Sequence, residues 1–163
     1  MSVIVVSGSR TITDYQTVAT VLERSGFDFT ELVHGNQPGV NLRGIHYDTP
    51  DRLAARWAER NGIPVTPMDA DWQKWGKAGG PVRNGEMVMY ANRRAKELRT
   101  TSGFVAVWDG RSYGCADAIT KARLYRLQIC KAICFNGKIE FEFINYPEIT
   151  QSYSMTLASV ASS

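Results

Sequence analysis

Short apolar runs alternate with amphipathic stretches over most of the chain. The apolar runs are rich in β-branched residues, which predicts strands over 2–7, 30–35, 63–68, 103–108 and 131–135. Between them, apolar residues recur at helical spacing, which predicts helices over 14–26, 51–62, 82–99 and 115–126. Such alternation is typical of a three-layer α/β domain, with a mainly parallel sheet and helices on both faces.

Two segments depart from this alternation. Residues 69–81 are rich in Trp, Lys and Gly, so they are predicted to form a loop. Asn136 and Gly137 are a strong hairpin signal, and residues 138–146 then alternate apolar side chains with glutamates. The second segment is therefore predicted to add an extra antiparallel edge strand near the C-terminus.

Length and composition fit one soluble globular domain. A chain of 163 residues can bury a full hydrophobic core, and 44% apolar with 21% charged residues are ordinary proportions. No apolar run is long enough to span a membrane, and the first residues lack the basic region and cleavage site of a signal peptide. We therefore expect a cytoplasmic protein with no membrane partner.

Charge and cysteine content narrow the function classes further. The net charge is +3 and the basic residues are interspersed with acids, which disfavours nucleic acid as a partner. Cys115, Cys130 and Cys134 form no paired spacing, which argues against disulfides and suits a reducing compartment. With only two histidines in the chain they form no zinc pattern, so we expect no metal and no cofactor.

The segments that follow the predicted strands all contain glycine. They are 7–14, 34–41, 69–84 and 109–117. The carboxyl ends of parallel strands meet at one edge of the sheet, and ligands of open α/β sheets bind there. Each glycine-rich segment alone is equally compatible with a tight turn. Their convergence favours a single binding crevice.

Five blocks of sequence resemble one known family. They are "VIVVSGSR", "LVHGNQPGV", "DRLAARWAERNGIPVTP", "ADWQKWGKAGGPVRNGEMV" and "FVAVWDGRSYGCADAITKAR". Together, over residues 2–135, they resemble the YspA-like branch of the SLOG superfamily, which also contains the DNA-processing protein A domain and the lonely-guy enzymes. The resemblance implies a Rossmann-like nucleotide-binding domain over 1–135, with 136–163 as a C-terminal strand and tail extension of the same domain. Because relatives form dimers, it also implies a homodimer or higher homo-oligomer.

One segment departs from the family pattern. Residues 41–50 intervene between the second glycine-rich loop and the helix that begins near Asp51. They read as an insertion at the mouth of the predicted site, and they carry Arg43, His46 and Tyr47. We expect the insertion to reach over a ligand.

The candidate ligand-binding residues lie in these loops and at the helix starts. The first βα turn is the usual phosphate position, and an arginine at a helix start suits bidentate phosphate binding. Asp51 is a candidate acceptor for ribose hydroxyls or simply a helix N-cap, and Trp72 either stacks on a base or packs under its loop. The full set is Gly8, Ser9, Arg10, Gly35, Asn36, Gln37, Gly39, Asp51, Trp72, Arg83, Asn84, Asp109, Gly110, Arg111, Ser112, Gly114 and Cys115.

Two acids are candidate catalysts. Glu86 lies at the start of a predicted helix, where it serves either as a general acid/base or only as a residue favoured by the helix dipole. The segment 110–115 resembles the phosphate loop of lonely-guy enzymes in position and glycine content. Those enzymes have a glutamate just inside the following helix, and the acid near that place here is Asp117.

These observations favour a nucleotide-type small molecule as the ligand. The chain is predicted to bind it as a sensor or sequestering protein, such as one for a nucleotide signal in phage–host conflict. The alternative is a phosphoribohydrolase-like N-glycosidase that acts on a nucleoside monophosphate or an ADP-ribose-type ligand. Single-stranded DNA binding is a third reading, which the modest charge disfavours.

Overall fold

The computed structural model describes residues 1–146 and 153–157. Its strands are β1 (Ser2–Gly8), β2 (Phe29–His34), β3 (Gly39–Val40), β4 (His46–Tyr47), β5 (Val65–Pro67), β6 (Thr101–Trp108), β7 (Gln128–Phe135), β8 (Lys138–Ile144) and β9 (Tyr153–Thr156). Its helices are α1 (Tyr15–Arg24), α2 (Pro50–Arg60), α3 (Trp72–Trp75), α4 (Gly79–Glu97) and α5 (Tyr113–Leu124). A 3₁₀ turn over Gly76–Ala78 joins α3 to α4.

The main sheet has seven strands in the order β5-β2-β1-β6-β7-β8-β9. The first five in that order are mutually parallel, and β8 and β9 are antiparallel to their neighbours. The predicted α/β class with a mainly parallel sheet is confirmed. The strand order reverses direction between β1 and β6, and this switch point is where open α/β sheets bind ligands.

Two hydrophobic cores cover the two faces of the sheet. On one face, α1 and α2 pack with residues such as Leu22 and Leu53 near Ile4. On the other face, α4 and α5 pack with residues such as Met87 near Val5. The alternating sides of β1 thus face two separate helical layers, which explains why this strand is apolar at every central position.

Helix starts differ from prediction in two places. Asp14 is the N-cap of α1, since its carboxylate accepts a hydrogen bond of 3.0 Å from the Thr17 N–H. The predicted N-cap role of Asp51 is wrong, because Thr49 is the N-cap of α2 and Pro50 takes the first helical position. The loop predicted over 69–81 is wrong as well. Asp71 caps the short helix α3, and α4 already begins at Gly79.

The C-terminal hairpin forms as predicted. Asn136 and Gly137 both have positive φ, at 51° and 72°, as a two-residue type I′ turn requires. The strand β8 pairs antiparallel with β7, but β9 covers its other side at Lys138–Phe141, so β8 is not the edge of the sheet. Residues 147–152 and 158–163 of the predicted extension lie outside the described residues, and the division at residue 135 stays a prediction.

The predicted insertion, residues 41–50, supplies the turn and the second strand of a small hairpin whose first strand, β3, precedes it. Gly39 pairs with Tyr47, and a Cβ at residue 39 would lie 2.6 Å from the tyrosine ring, so glycine is needed at this contact. Beyond the hairpin, Asp48 forms an ion pair of 2.6 Å with Arg56 of α2. This ion pair therefore links the end of the hairpin to α2. None of the helices in the described part of the chain has the length and hydropathy to cross a membrane.

We expect opposite stability effects from two glycine-to-alanine substitutions. A Cβ at Gly103 of β6 would lie 2.6 Å from the Phe27 ring and 2.8 Å from Cδ1 of Ile4, so Gly103→Ala overpacks the core and lowers the free energy of unfolding by about 1–3 kcal/mol. A Cβ at Gly85 of α4 would meet only Lys121 Cδ, at 3.9 Å. Because alanine is the better helix former, Gly85→Ala raises the free energy of unfolding by about 0.5–1 kcal/mol. Urea denaturation measures both. A stabilising Gly103→Ala would contradict the described packing of β6.

Candidate functional site

A cavity of about 400 Å³ opens at the switch point, beside the carboxyl ends of β1 and β6. Its wall comes from five parts of the chain: the β1–α1 turn, the loop after β2, the start of α2, the α3–α4 region, and the β6–α5 turn with the first turn of α5. The lining residues are Ser7, Gly8, Ser9, Arg10, Thr11, Gln37, Asp51, Trp72, Gly80, Pro81, Arg83, Asn84, Asp109, Ser112, Gly114 and Cys115. The predicted convergence of loops thus produces a crevice that all four glycine-rich segments help to line.

The β1–α1 turn contributes a buried serine and an exposed arginine. The Ser9 hydroxyl lies 2.8 Å from the Ser112 hydroxyl and accepts a hydrogen bond of 2.9 Å from the Asp109 N–H. Ser9 therefore joins this turn to the β6–α5 turn rather than offering a free donor. Arg10, in contrast, lines the cavity and forms no hydrogen bond or ion pair with any residue that the structure describes.

The β6–α5 turn is held by Asp109. Its carboxylate accepts hydrogen bonds of 2.8 Å from the N–H groups of Arg111 and Ser112, and another of 2.8 Å from the Thr11 hydroxyl. Burial works to raise the pKa of Asp109, but these donors outweigh it and hold the pKa below its ordinary value. The N–H groups that a phosphate would need at the beginning of this turn are thus already occupied.

The first turn of α5 lies further along the chain and also faces the cavity. Ser112 is the N-cap but makes no side-chain capping bond, and Gly114 and Cys115 of this first turn line the cavity. The first N–H groups of a helix have no partner within the helix and carry the positive end of its dipole. Burial raises the pKa of the Cys115 thiol, which keeps it neutral and unsuited to act as a nucleophile.

Arg83 of α4 is buried and reaches across to the loop after β2. It donates to the Gly35 carbonyl, to Oε1 of Gln37 at 3.3 Å and to Oδ1 of Asn84 at 3.2 Å. A Cβ at residue 35 would lie 2.4 Å from the guanidinium, so only glycine permits this approach. A guanidinium has five N–H donors, so three protein bonds leave two for a ligand.

Asp51 is the buried carboxylate of the cavity. It is 6% exposed and accepts a hydrogen bond of 3.0 Å from the Gln37 N–H. Burial raises the pKa of Asp51 to about 6, although the Gln37 N–H and the charge of Arg83 act in the opposite direction. Near neutral pH, such a group can accept a hydrogen bond from a ligand hydroxyl, and when protonated it can donate one.

Trp72 forms one side of the cavity and is 48% exposed. Its indole lies on the backbone of two glycines at the start of α4. A Cβ at Gly79 would be 3.0 Å from the ring, and one at Gly80 would be 3.3 Å from it. The glycine pair therefore lets the ring approach the helix start closely, while about half of the side chain stays exposed.

Several predicted residues lie outside this cavity. Gly35 and Asn36 line a smaller adjoining cavity, while Gly39 lies in the β3–β4 hairpin. Gly110 has a φ of 82°, so its glycine serves the turn, and neither it nor Arg111 lines either cavity. The insertion residues Arg43, His46, Tyr47 and Asp48 do not line the two cavities either.

The two candidate catalytic acids are also outside the lining. Glu86 is exposed on α4. Asp117 accepts hydrogen bonds of 3.0 Å from Asn84 Nδ2 and 2.8 Å from Lys121 Nζ. Asp117 is therefore connected to the cavity lining through its hydrogen bond with Asn84. Among the described residues, no cluster of three or more His, Cys, Asp or Glu side chains could hold a metal ion.

Four lining residues were not among the predicted ligand-binding set. Ser7 and Thr11 flank the predicted residues Gly8–Arg10, so the predicted segment is in the right place but one residue too short at each end. Gly80 and Pro81 were assigned to a loop, although they belong to the first turn of α4.

The fold and the crevice together define a Rossmann-like α/β domain with a crevice at its switch point, the position where open α/β sheets bind ligands. Residues 2–75 match the model of the YspA, cpYpsA-related SLOG family, which confirms the resemblance over that segment. A crystal structure of PaaA aligns with a TM-score of 0.45 at 14% identity, covering 94% of this chain and 47% of that chain. The chain thus spans about half the length of PaaA. No curated protein matches the chain.

The raised pKa of Asp51 predicts a particular pH dependence. A native pKa of about 6 lies above the unfolded value of about 3.9, so the native state binds more protons between these values. Stability therefore falls as pH rises through that window. Relative to Asp51→Asn, the wild-type free energy of unfolding should fall by about 2–3 kcal/mol between about pH 4 and 7.

The comparison between wild type and variant is essential here, because His34 has the opposite effect. Burial lowers the pKa of His34 to about 4, so its contribution to stability rises with pH over the same range. Urea denaturation of both proteins at several pH values cancels this contribution. A difference that does not change with pH would contradict the description of Asp51 as a buried, desolvated carboxylate.

Proposed function

We propose that the crevice binds a nucleotide or nucleotide-derived small molecule, with its phosphate between Arg10 and the first turn of α5. The observation that carries this proposal is the unpaired guanidinium of Arg10 in a cavity that also receives the start of an uncapped helix. A guanidinium and helix N–H groups are complementary to a phosphate group in charge and in donor geometry.

The rest of the cavity suits the sugar and the base of such a ligand. The buried carboxylate of Asp51 is an acceptor for ribose hydroxyls, and the indole of Trp72 offers an apolar face for stacking. The volume of about 400 Å³ lies within the range of small-molecule sites. The match of residues 2–75 to a SLOG family supports a nucleotide-related ligand.

Binding without turnover, as in a sensor or sequestering protein, is our first proposal. Glu86 and Asp117 do not line the cavity, so the two acids expected to catalyse hydrolysis have no direct access to a ligand there. An N-glycosidase remains the second candidate because of one observation: Asp51 lines the cavity and has a pKa raised to about 6. An acid of this kind is suited to protonate a departing base.

Removal of the Arg10 charge should weaken ligand binding specifically. Arg10→Gln is expected to raise the Kd for a nucleoside monophosphate by about tenfold or more, since a charge-assisted hydrogen bond contributes about 1.5–3 kcal/mol. The matched control is Arg111→Gln, which removes the same charge from the neighbouring turn outside the cavity lining. Isothermal titration calorimetry measures both. Equal weakening by the two variants would contradict a direct contact with Arg10.

The two candidate functions differ in the fate of the ligand. A sensor leaves AMP intact, whereas an N-glycosidase releases adenine, which chromatography detects after incubation with the protein. We expect intact ligand with the wild-type protein. Release of adenine that is lost in Asp51→Asn but retained in Glu86→Gln would instead establish hydrolysis with Asp51 as the acid.

A further inference from the structure

A second cavity of about 280 Å³ adjoins the one described above. Gln37, Trp72 and Arg83 line both cavities, so the two spaces meet at these three side chains. The hydrogen bond of 3.3 Å from Arg83 to Gln37 holds part of this boundary in place. The remaining residues of the second cavity are Gly35, Asn36, Pro38, Arg52, Asp69 and Ala70.

The second cavity contains its own unpaired cation. Arg52 of α2 is exposed and forms no hydrogen bond or ion pair within 1–146 or 153–157. The carboxylate of Asp69, in contrast, accepts a hydrogen bond of 2.9 Å from the side-chain amide of Asn36. Each of the two cavities therefore has one guanidinium without a protein partner, Arg10 in the first and Arg52 in the second.

The boundary between the cavities is itself suited to contact a ligand. Arg83 has two N–H donors left after its three protein bonds. Trp72 is half-exposed and lies on the glycine pair at the start of α4, so its ring borders both spaces. A ligand that crosses the boundary would meet a cation and an aromatic surface rather than an apolar barrier.

We propose that the ligand spans both cavities and belongs to the dinucleotide class, with two halves joined through phosphates. This inference rests on the proposed function, since the first half occupies the cavity of Arg10 and Asp51. The second half, a ribose or a second nucleoside, places its hydroxyls against Arg52, Asp69 and Asn36. A mononucleotide fills the first cavity only and leaves Arg52 without a partner.

The test compares ligands of one and two halves by isothermal titration calorimetry. AMP, ADP, ADP-ribose and NAD are titrated into wild-type protein, Arg52→Gln and a control, Arg93→Gln. Arg93 has a side chain that is 70% exposed and pairs with Glu97 on α4, away from both cavities. ADP-ribose or NAD is expected to bind about tenfold tighter than ADP, and Arg52→Gln should remove that gain while AMP binding is kept. Arg93→Gln should retain the wild-type pattern.

The outcomes separate the two proposals. If AMP binds but neither two-part ligand gains affinity over ADP, or if Arg52→Gln leaves the gain intact, the two-cavity inference is wrong and the proposed function stands. If none of the four ligands binds the wild-type protein, both are wrong. Because Arg52 is exposed and unpaired, its substitution is compatible with folding, which thermal denaturation of the variant checks directly.

Discussion

The buried guanidinium of Arg83 is the interaction on which the site depends. Burying a charge is costly unless protein acceptors compensate, and here the Gly35 carbonyl, the Gln37 amide and the Asn84 amide accept three of its five N–H donors. These bonds tie α4 to the loop after β2. The same loop contains Gln37, whose N–H donates to the carboxylate of Asp51. The bonds of Arg83 also form the boundary between the two cavities. Loss of this contact would remove the separation of the site into two compartments.

A second set of bonds joins the two sides of the switch point. The hydroxyl of Ser9, just after β1, accepts a hydrogen bond from the Asp109 N–H. The carboxylate of Asp109 in turn accepts hydrogen bonds from the N–H groups of Arg111 and Ser112, just before α5. Since β1 and β6 are neighbours, this network fixes the distance between the Arg10 turn and the α5 start. The two groups proposed to bind phosphate are therefore held in place by hydrogen bonds between the side chains and the backbone of the two turns.

The sequence predicts the fold better than the details of the site. Continuous apolar strands, helical spacing and the Asn136–Gly137 turn depend on local chemistry, so the parallel sheet and the hairpin are predicted correctly. Convergence of the loops follows from parallel topology alone. In contrast, the start of α2 depends on Thr49 and Pro50, which take the N-cap and the first helical position. The short helix within 69–81 depends on Asp71, which caps it. The glycine-rich turn after β6 resembles a phosphate loop, but a side-chain contact from Asp109 occupies its first N–H groups. No periodicity reveals such a contact.

The central claim is that a phosphate group binds at the first turn of α5 rather than at the turn before it. Titration of isotope-labelled protein with AMP, followed by amide NMR, tests this most directly. Phosphate binding at the first turn of α5 predicts saturable changes in amide chemical shift that are largest at the N–H groups of Gly114 and Cys115 and at the turn of Arg10. Shifts that are largest at Gly110 and Arg111, or no saturable shift in any of these residues, would contradict it.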